Sequence, residues 1–150
     1  MSDIFISICK ENSYNNTVNF YNNTINLNID NEIFEIFCYN GNLELMKWAL
    51  RVNPNIDVTI NKGKNFHTLC KQGHFRAFKW LYVVYYHDGK INDLYLLFIN
   101  ACQGGNIMLI KYIHSLFHTT LSNRIEDVYN FILTSNNAEV QDVVLDLLEL

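Results

Sequence analysis

Apolar residues in the stretch FHTLCKQGHFRAFKWLY, residues 66–82, follow helical spacing on both sides of a glycine. Before the glycine, apolar residues stand at i, i+3 and i+4, which predicts a short helix over about 65–72. After it, a second apolar face predicts a helix over about 75–86. The residues of that second face are Phe75, Phe78, Leu81, Val84 and Tyr85. Gly73 fits the left-handed residue that ends one helix and reverses the chain.

The same pattern recurs along the chain with a period of about 32 residues. Residues 34–50 read FEIFCYNGNLELMKWAL, and residues 98–114 read FINACQGGNIMLIKYIH. All three copies share the frame F-x-x-x-C-x-x-G-[NH]-x-x-x-x-K-[WY], which is the signature of a repeat architecture. The positions that step by 32 are Phe34, Phe66 and Phe98; Cys38, Cys70 and Cys102; Gly41, Gly73 and Gly105; and Lys47, Lys79 and Lys111.

Weaker copies of the frame flank these three, as expected for terminal units that pack against only one neighbour. Their Phe, Cys and Gly positions are taken by Phe5, Cys9 and Asn12 near the N-terminus and by Tyr129, Leu133 and Asn136 near the C-terminus. Asn136 is expected to have the positive φ of the glycines, because Asn tolerates that conformation. We predict one repeat domain over 1–150, composed of a degenerate N-terminal unit (about 1–33), units at about 34–65, 66–97 and 98–128, and a C-terminal capping unit (about 129–150).

Turn-forming residues separate the units. Residues 52–64, 87–93 and 118–124 contain the only proline and are predicted to be loops. Two short helices cannot bury their apolar faces alone, so each unit is expected to pack against its neighbours. The predicted fold is all-α, with stacked helix-turn-helix units of about 32 residues.

The composition limits the classes of partner. Hydrophobic residues make up 49% of the 150 positions, which is enough for a packed core. The formal charge of −4 argues against general nucleic-acid binding, which needs clustered Lys and Arg. The sequence has neither an apolar run long enough to span a bilayer nor the features of a signal peptide. We therefore predict an intracellular protein without nucleic-acid or membrane partners.

The repeated frame resembles the ankyrin repeat, whose unit is close to 33 residues. The segment FHTLCKQGH at 66–74 is similar to the ankyrin pattern L-H-x-A-A-x-x-G-H. The Cys-bearing and Trp-bearing form of the frame resembles the ankyrin proteins of amoeba-infecting giant viruses, which implies a location in the cytoplasm of the host cell. Lys64-Asn65 replaces the family's Thr-Pro, which implies less stable units. The resemblance implies an ankyrin-type helical repeat solenoid.

His67, Cys70 and His74 lie close together in the sequence and raise the alternative of a zinc site or a Cys/His nucleophilic pair. The repeat favours a structural interpretation, in which the cysteines are small buried packing residues at a position where the family prefers Ala. The cysteines that share this frame position are Cys9, Cys38, Cys70 and Cys102. Helices that pack about 8–10 Å apart hold them too far from one another for disulfides. No phosphate, metalloprotease or dinucleotide motif is present, so we predict no catalytic residue, metal or cofactor.

Two other frame positions are expected to be structural. His74, which aligns with Asn42 and Asn106, is expected to make a polar contact that stabilises the turn. The in-phase aromatic residues are expected to pack between units, and they are Trp48, Trp80 and Tyr112.

The ankyrin resemblance implies a non-catalytic scaffold that binds a host or viral protein through its concave face, built by the loops and the first helices. Exposed Tyr among Asn and Gln suits such a surface. Carried over by position, the partner-binding residues are Tyr39, Asn40, Asn61, Lys71, Gln72, Asn92, Tyr95 and Gln103. One alternative is a substrate adaptor for a ubiquitin-ligase-type assembly. Another is a Cys/His-dependent enzyme, which would need an exposed and acidified Cys70.

The segment VQDVVLDLLEL at the end of the sequence is predicted to form the closing helix of the stack. Asp142, Asp146 and Glu149 mark its solvent-facing side. Its wide apolar face contains Val140, Val143, Val144, Leu147 and Leu148. This face is expected either to pack on the second helix of the preceding unit or to form a dimer contact, so the chain is predicted to be a monomer or a dimer through its C-terminal helix.

Overall fold

The computed structural model describes residues 3–85, 91 and 93–149, and all regular secondary structure in these ranges is helical. This confirms the all-α prediction. The helices are α1 (Asp3–Lys10), α2 (Tyr14–Asn22), α3 (Asn31–Asn40), α4 (Leu43–Val52), α5 (Ile60–Lys71), α6 (Phe75–Tyr85), α7 (Leu94–Gly104), α8 (Ile107–Ser122), α9 (Ile125–Leu133) and α10 (Ala138–Leu147). No helix in the described part of the chain is long and apolar enough to cross a bilayer.

The helices form five consecutive pairs, each joined by a short turn. We call α1, α3, α5, α7 and α9 the first helices and their partners the second helices. The first helices α1, α3, α5 and α7 pack in sequence, each against the next, whereas α9 and α10 pack against α8. The core between them contains a fully buried phenylalanine from each of the first four pairs: Phe5, Phe34, Phe66 and Phe98.

The turns between paired helices follow the frame. Gly41, Gly73 and Gly105 have φ angles of 65°, 73° and 69°, as the sequence predicted. Asn12, at the same position in the first pair, has φ 61°. Only Gly adopts this conformation without a steric cost, and Asn is among the few other residues that tolerate it.

The prediction of positive φ at Asn136 is wrong. Helix α9 ends earlier, and Thr134 continues in a right-handed conformation with φ −91°. The side chain of Gln141, on α10, donates hydrogen bonds to the carbonyl oxygens of Ile132 and Ser135, at 3.0 and 2.7 Å. These bonds satisfy carbonyls at the end of α9, so this helix does not need a left-handed cap.

The residue after the turn caps the second helix. At this frame position a side-chain oxygen accepts a hydrogen bond from the backbone N–H three residues later, and each such cap stabilises a helix by about 1 kcal/mol. The capping residues are Ser13, Asn42, Asn106 and Asn137. The local sequence therefore fixes where each of these second helices begins.

The in-phase aromatic residues pack between units, as predicted. Trp48 meets Tyr21 of the preceding pair edge to face, with 5.2 Å between ring centroids. Tyr112 meets Phe75 of the preceding pair at 5.7 Å. Trp80 is contacted by the ammonium group of Lys47, 6.0 Å from its ring centroid. Each such aromatic or cation–π contact contributes about 0.5–1.5 kcal/mol of stability beyond the contribution of the apolar area that it buries.

The structure corrects two predicted loops and one prediction of burial. Of the predicted loop 52–64, residues 60–64 belong to α5, although residues 61–63 have left-handed backbone angles. Residues 118–124 were predicted to be a loop, but α8 continues to Ser122 through a bend at Phe117, because Leu121 is buried and extends the apolar face. Val84 was predicted to lie on the buried face of α6, but half of its surface is exposed. Of the predicted loop 87–93, residues 91 and 93 are described and the others lie outside the described residues.

The last helix has the two sides that the sequence predicted. Val140 and Val144 are fully buried, and α10 packs against α8 of the preceding pair. Asp142, Asp146 and Glu149 are exposed. Helix α10 therefore covers the second helix of the preceding pair.

Candidate interaction surface

Polar side chains connect the turns of successive pairs. Asn42 Nδ2 donates to Asn12 Oδ1 at 2.8 Å, and Asn106 Nδ2 donates to the carbonyl oxygen of Gly73 at 2.9 Å. His74 Nε2 lies 2.9 Å from the carbonyl oxygen of Tyr39, and because a carbonyl only accepts, Nε2 carries the proton. The predicted structural role of His74 in the turn is confirmed. These contacts hold the turns side by side.

A row of exposed side chains lies beside these turns. Its members stand directly after the Cys position of the frame, at the ends of the first helices, and all are exposed: Lys10, Tyr39, Lys71, Gln103 and Thr134. Tyr39 has 58% of its surface exposed. Three of the predicted partner-binding residues, Tyr39, Lys71 and Gln103, therefore occupy equivalent places. Lys10 and Thr134 were missed, although the frame extended to the terminal units marks both.

Tyr39 also borders a groove of about 330 Å³ across three first helices, α1, α3 and α5. We call this groove together with the exposed row the first-helix surface. The residues that line the groove are Ile6, Lys10, Glu32, Glu35, Ile36, Tyr39, Lys64 and Thr68. Seven of these eight residues were not predicted as contacts. A weak signal for them was present, since Ile36 and Thr68 share one frame position and lie one turn before the exposed row.

Polar contacts between the first helices fix the walls of the first-helix surface. Lys64 Nζ forms a salt bridge with Glu35 Oε2 at 2.6 Å, which connects α5 to α3. Asn100 Nδ2 lies 3.0 Å from His67 Nδ1 and connects α7 to α5. The Lys64 side chain is half exposed, so the salt bridge contributes at most about 1 kcal/mol. Its main effect is to position the two charged groups at the groove.

Tyr95, predicted as a partner-binding residue, is engaged within the chain. The Arg124 guanidinium lies over the Tyr95 ring, 3.9 Å from its centroid. The Tyr95 hydroxyl donates to the carbonyl oxygen of Asp127 at 3.4 Å. Desolvation by burial and the nearby Asp127 carboxylate raise the pKa of Tyr95. Tyr95 therefore connects α7 to the last pair, and the Arg124 side chain covers one face of its ring.

The remaining predicted contact residues have different surroundings. Gln72 and Asn61 are exposed, and Asn61 has a left-handed backbone with φ 52°. Asn40 is partly buried, and its amide nitrogen is buried without a hydrogen-bond partner among the described residues. The amide nitrogen of Asn40 therefore lies below the surface that the other predicted residues present. Asn92 lies outside the described residues.

The four cysteines are buried free thiols, as predicted. Burial raises the pKa of Cys9 and of Cys102 to about 12, and it raises the pKa of Cys38 and Cys70 well above the usual value. A nucleophilic cysteine needs an accessible thiol with a lowered pKa. The conditions for Cys70 as a nucleophile are therefore not met. In the part of the chain that the structure describes, no three His, Cys, Asp or Glu side chains are grouped so as to hold a metal ion.

We expect the native protein to react with a thiol reagent only after unfolding. Cys70→Ala is expected to change the free energy of unfolding by about 1 kcal/mol or less, because Ala fits a small buried packing site. Thiol labelling in buffer and in denaturant, with urea unfolding of the variant, measures both. Rapid labelling of one thiol in the folded protein would contradict the buried positions of the cysteines.

Comparison with known proteins gives no match to a family model, a curated protein or a solved structure. The ankyrin resemblance therefore rests on the frame residues quoted above and on the succession of helical pairs.

Proposed function

We propose that this chain is a non-catalytic ankyrin-type solenoid that binds a protein partner through the first-helix surface. In this proposal it resembles the ankyrin proteins of amoeba-infecting giant viruses and acts on a host or viral protein in the host cytoplasm. The first-helix surface carries the proposal, because it combines a row of exposed side chains with a groove across α1, α3 and α5.

The chemistry of the first-helix surface suits a protein partner. The groove combines two aliphatic side chains, Ile6 and Ile36, with lysines and glutamates of both signs. A protein surface can match such a mixture with its own apolar and charged groups. Tyr39, with its large exposed ring, supplies contact area at a low cost in conformational entropy.

Rigidity of the surface favours binding. The turns are connected by the Asn42 and Asn106 side chains, and α3 is joined to α5 by the Glu35–Lys64 salt bridge. A surface that is ordered before binding loses little conformational entropy when a partner docks. The exposed row therefore presents its side chains at fixed spacings.

Affinity capture from host-cell extract tests the proposal. We expect the double variant Tyr39→Ala/Lys71→Glu to lose at least about 90% of the partner that the wild-type protein captures, since contact residues at the centre of an interface carry about 2 kcal/mol or more. The matched control is Tyr14→Ala/Lys111→Glu, which makes the same changes at exposed residues of second helices. Equal capture by the two double variants would contradict the first-helix surface as the binding site.

A further inference from the structure

Each first helix carries two adjacent pairs of side chains that face opposite neighbours, and all of these side chains are apolar except Asn65 of α5. One pair occupies the Phe and Cys positions of the frame, and the other pair precedes each of them by one residue. In the first unit Phe5 and Cys9 are fully buried, whereas Ile4 is 65% exposed. The last unit shows the reverse, since Val128 and Ile132 are fully buried. The Phe and Cys positions therefore face the following unit, and in the last unit no element of the described chain covers them.

The last unit consequently exposes apolar side chains that are covered in every earlier unit. Tyr129 and Leu133 take the Phe and Cys positions and are 38% and 55% exposed. Ile125 extends this stripe by one helical turn and is 37% exposed. Leu145, on α10, stands at the frame position of Tyr21. Tyr21 contacts Trp48 of the following unit, where the first and second units meet. We call Ile125, Tyr129, Leu133 and Leu145 the terminal face.

The terminal face contains a groove of about 390 Å³ between α9 and α10, lined by Ile125, Glu126, Tyr129 and Leu145. Between earlier units, the equivalent positions are covered by the first helix of the following unit. That helix has apolar residues at i and i+4, such as Ile33 and Phe37 or Leu97 and Ala101. The stripe on α9 runs over the nine residues 125–133, which places its ends about 12 Å apart along the helix. The terminal face thus matches two to three turns of an amphipathic helix.

Charge around the terminal face is negative. Residues 125–150 contain six carboxylates and no Lys or Arg. Glu126 lines the groove, and Asp142 lies one helical turn before Leu145. The adjacent cation, Arg124, is paired with Asp127 at 2.8 Å. An element that covers this face is therefore favoured if it carries positive charge beside its apolar stripe.

A second copy of the chain fits these requirements poorly. Two terminal faces brought together would oppose their carboxylates, because both copies carry the same excess of negative charge. The opposite end of the molecule exposes Ile4 and presents a groove lined by Ile8, Glu11, Asn16, Asn19, Phe20 and Asn23. Residues 3–30 at that end contain one basic side chain, Lys10, and three carboxylates, Asp3, Glu11 and Asp30, so this end also carries an excess of negative charge.

We propose that the terminal face binds a basic amphipathic helix of a partner protein. In the complex, the partner's apolar residues at i, i+4 and i+7 lie on Tyr129, Leu133 and Leu145, and its Lys or Arg side chains approach Glu126 and Asp142. This site lies on the last helical pair and is separate from the first-helix surface. A single chain would thus join two partners.

Fluorescence anisotropy with a labelled peptide tests this site. The probe is a helical peptide of about 18 residues with leucines at i, i+4, i+7 and i+11 and lysines beside them. We expect saturable binding by the wild-type protein, at least about 10-fold weaker binding by Leu133→Asn, and a similar loss for Glu126→Lys/Asp142→Lys. Ile4→Asn, at the exposed stripe of the other end, is the matched control and should bind as the wild type does.

Three results would overturn the proposal. The first is equal affinity of the probe for wild type and Leu133→Asn. The second is equal affinity of the wild type for a peptide with the same composition and scrambled leucines, which would show attraction by charge alone. The third is a wild-type dimer in analytical ultracentrifugation that becomes a monomer in Leu133→Asn, which would make a second copy the occupant. Capture of a partner by the first-helix surface is expected to persist in Leu133→Asn, so failure at one site is distinguishable from failure at the other.

Discussion

Replacing Gly104 with alanine is expected to lower the free energy of unfolding by about 3 kcal/mol, because α5 and α7 touch at this residue. A Cβ atom there would overlap the carbonyl oxygen of Cys70 and lie 2.9 Å from the backbone nitrogen of Gly73 and 3.1 Å from the carbonyl oxygen of Lys71. All three are backbone atoms, so no side chain can move aside. The higher helix propensity of alanine, about 1 kcal/mol, does not offset this overlap.

Urea unfolding monitored by circular dichroism measures the effect of Gly104→Ala. Gln72→Ala is the matched control, because Gln72 holds the same frame position in the preceding unit and is exposed. We expect the control to stay within about 0.5 kcal/mol of the wild type. Unchanged stability of Gly104→Ala would contradict the close approach of α5 and α7.

Deleting residues 140–150 is expected to cause aggregation or loss of folding. The deletion removes Val140 and Val144, both fully buried, and uncovers apolar residues of α8 that they help to bury. Burying a Val side chain contributes about 1.5–3 kcal/mol, so the two valines alone represent a large part of a typical domain stability of about 5–15 kcal/mol.

Size-exclusion chromatography and thermal unfolding of the truncated protein measure this loss. Asp146→Ala is the control, because it changes an exposed residue of α10 and leaves the buried valines in place. A truncated chain that stays monomeric and unfolds at the wild-type temperature would show that α10 is dispensable for the fold.

The helical pairs were predictable because the chain repeats its own frame. A single apolar spacing is ambiguous, but three copies in register fix the helix, the glycine turn and the second helix at once. The terminal copies followed the same logic, and Asn12 adopts the positive φ of the frame glycines. Asn136 does not, because Gln141, a side chain of the next helix, satisfies the end of α9 instead. Such a replacement depends on how α10 packs beside α9, which the frame does not specify.

The candidate surface was predictable only in part, for a similar reason. Tyr39, Lys71 and Gln103 were found because exposure at the end of a helix follows from periodicity. Tyr95 was predicted from its position near the loop tip at the start of α7, yet Arg124, 29 residues away in the sequence, stacks on its ring. The groove across α1, α3 and α5 depends on how neighbouring first helices are placed, which the frame does not encode. The close contact at Gly104 was also not predictable from the frame, because Asn40 and Gln72 stand at its position in the earlier units.

Site-specific photo-crosslinking to the captured partner tests the proposed function most directly. A photoreactive residue is placed at position 39, 71 or 103 in the exposed row, or at position 14, 83 or 111 on the second helices, one position per variant. All six residues are exposed and described by the structure, so each probe is accessible. We predict crosslinks to the partner from the three positions of the exposed row and none from the second helices. Crosslinks from the second helices, with none from positions 39, 71 and 103, would contradict binding through the first-helix surface.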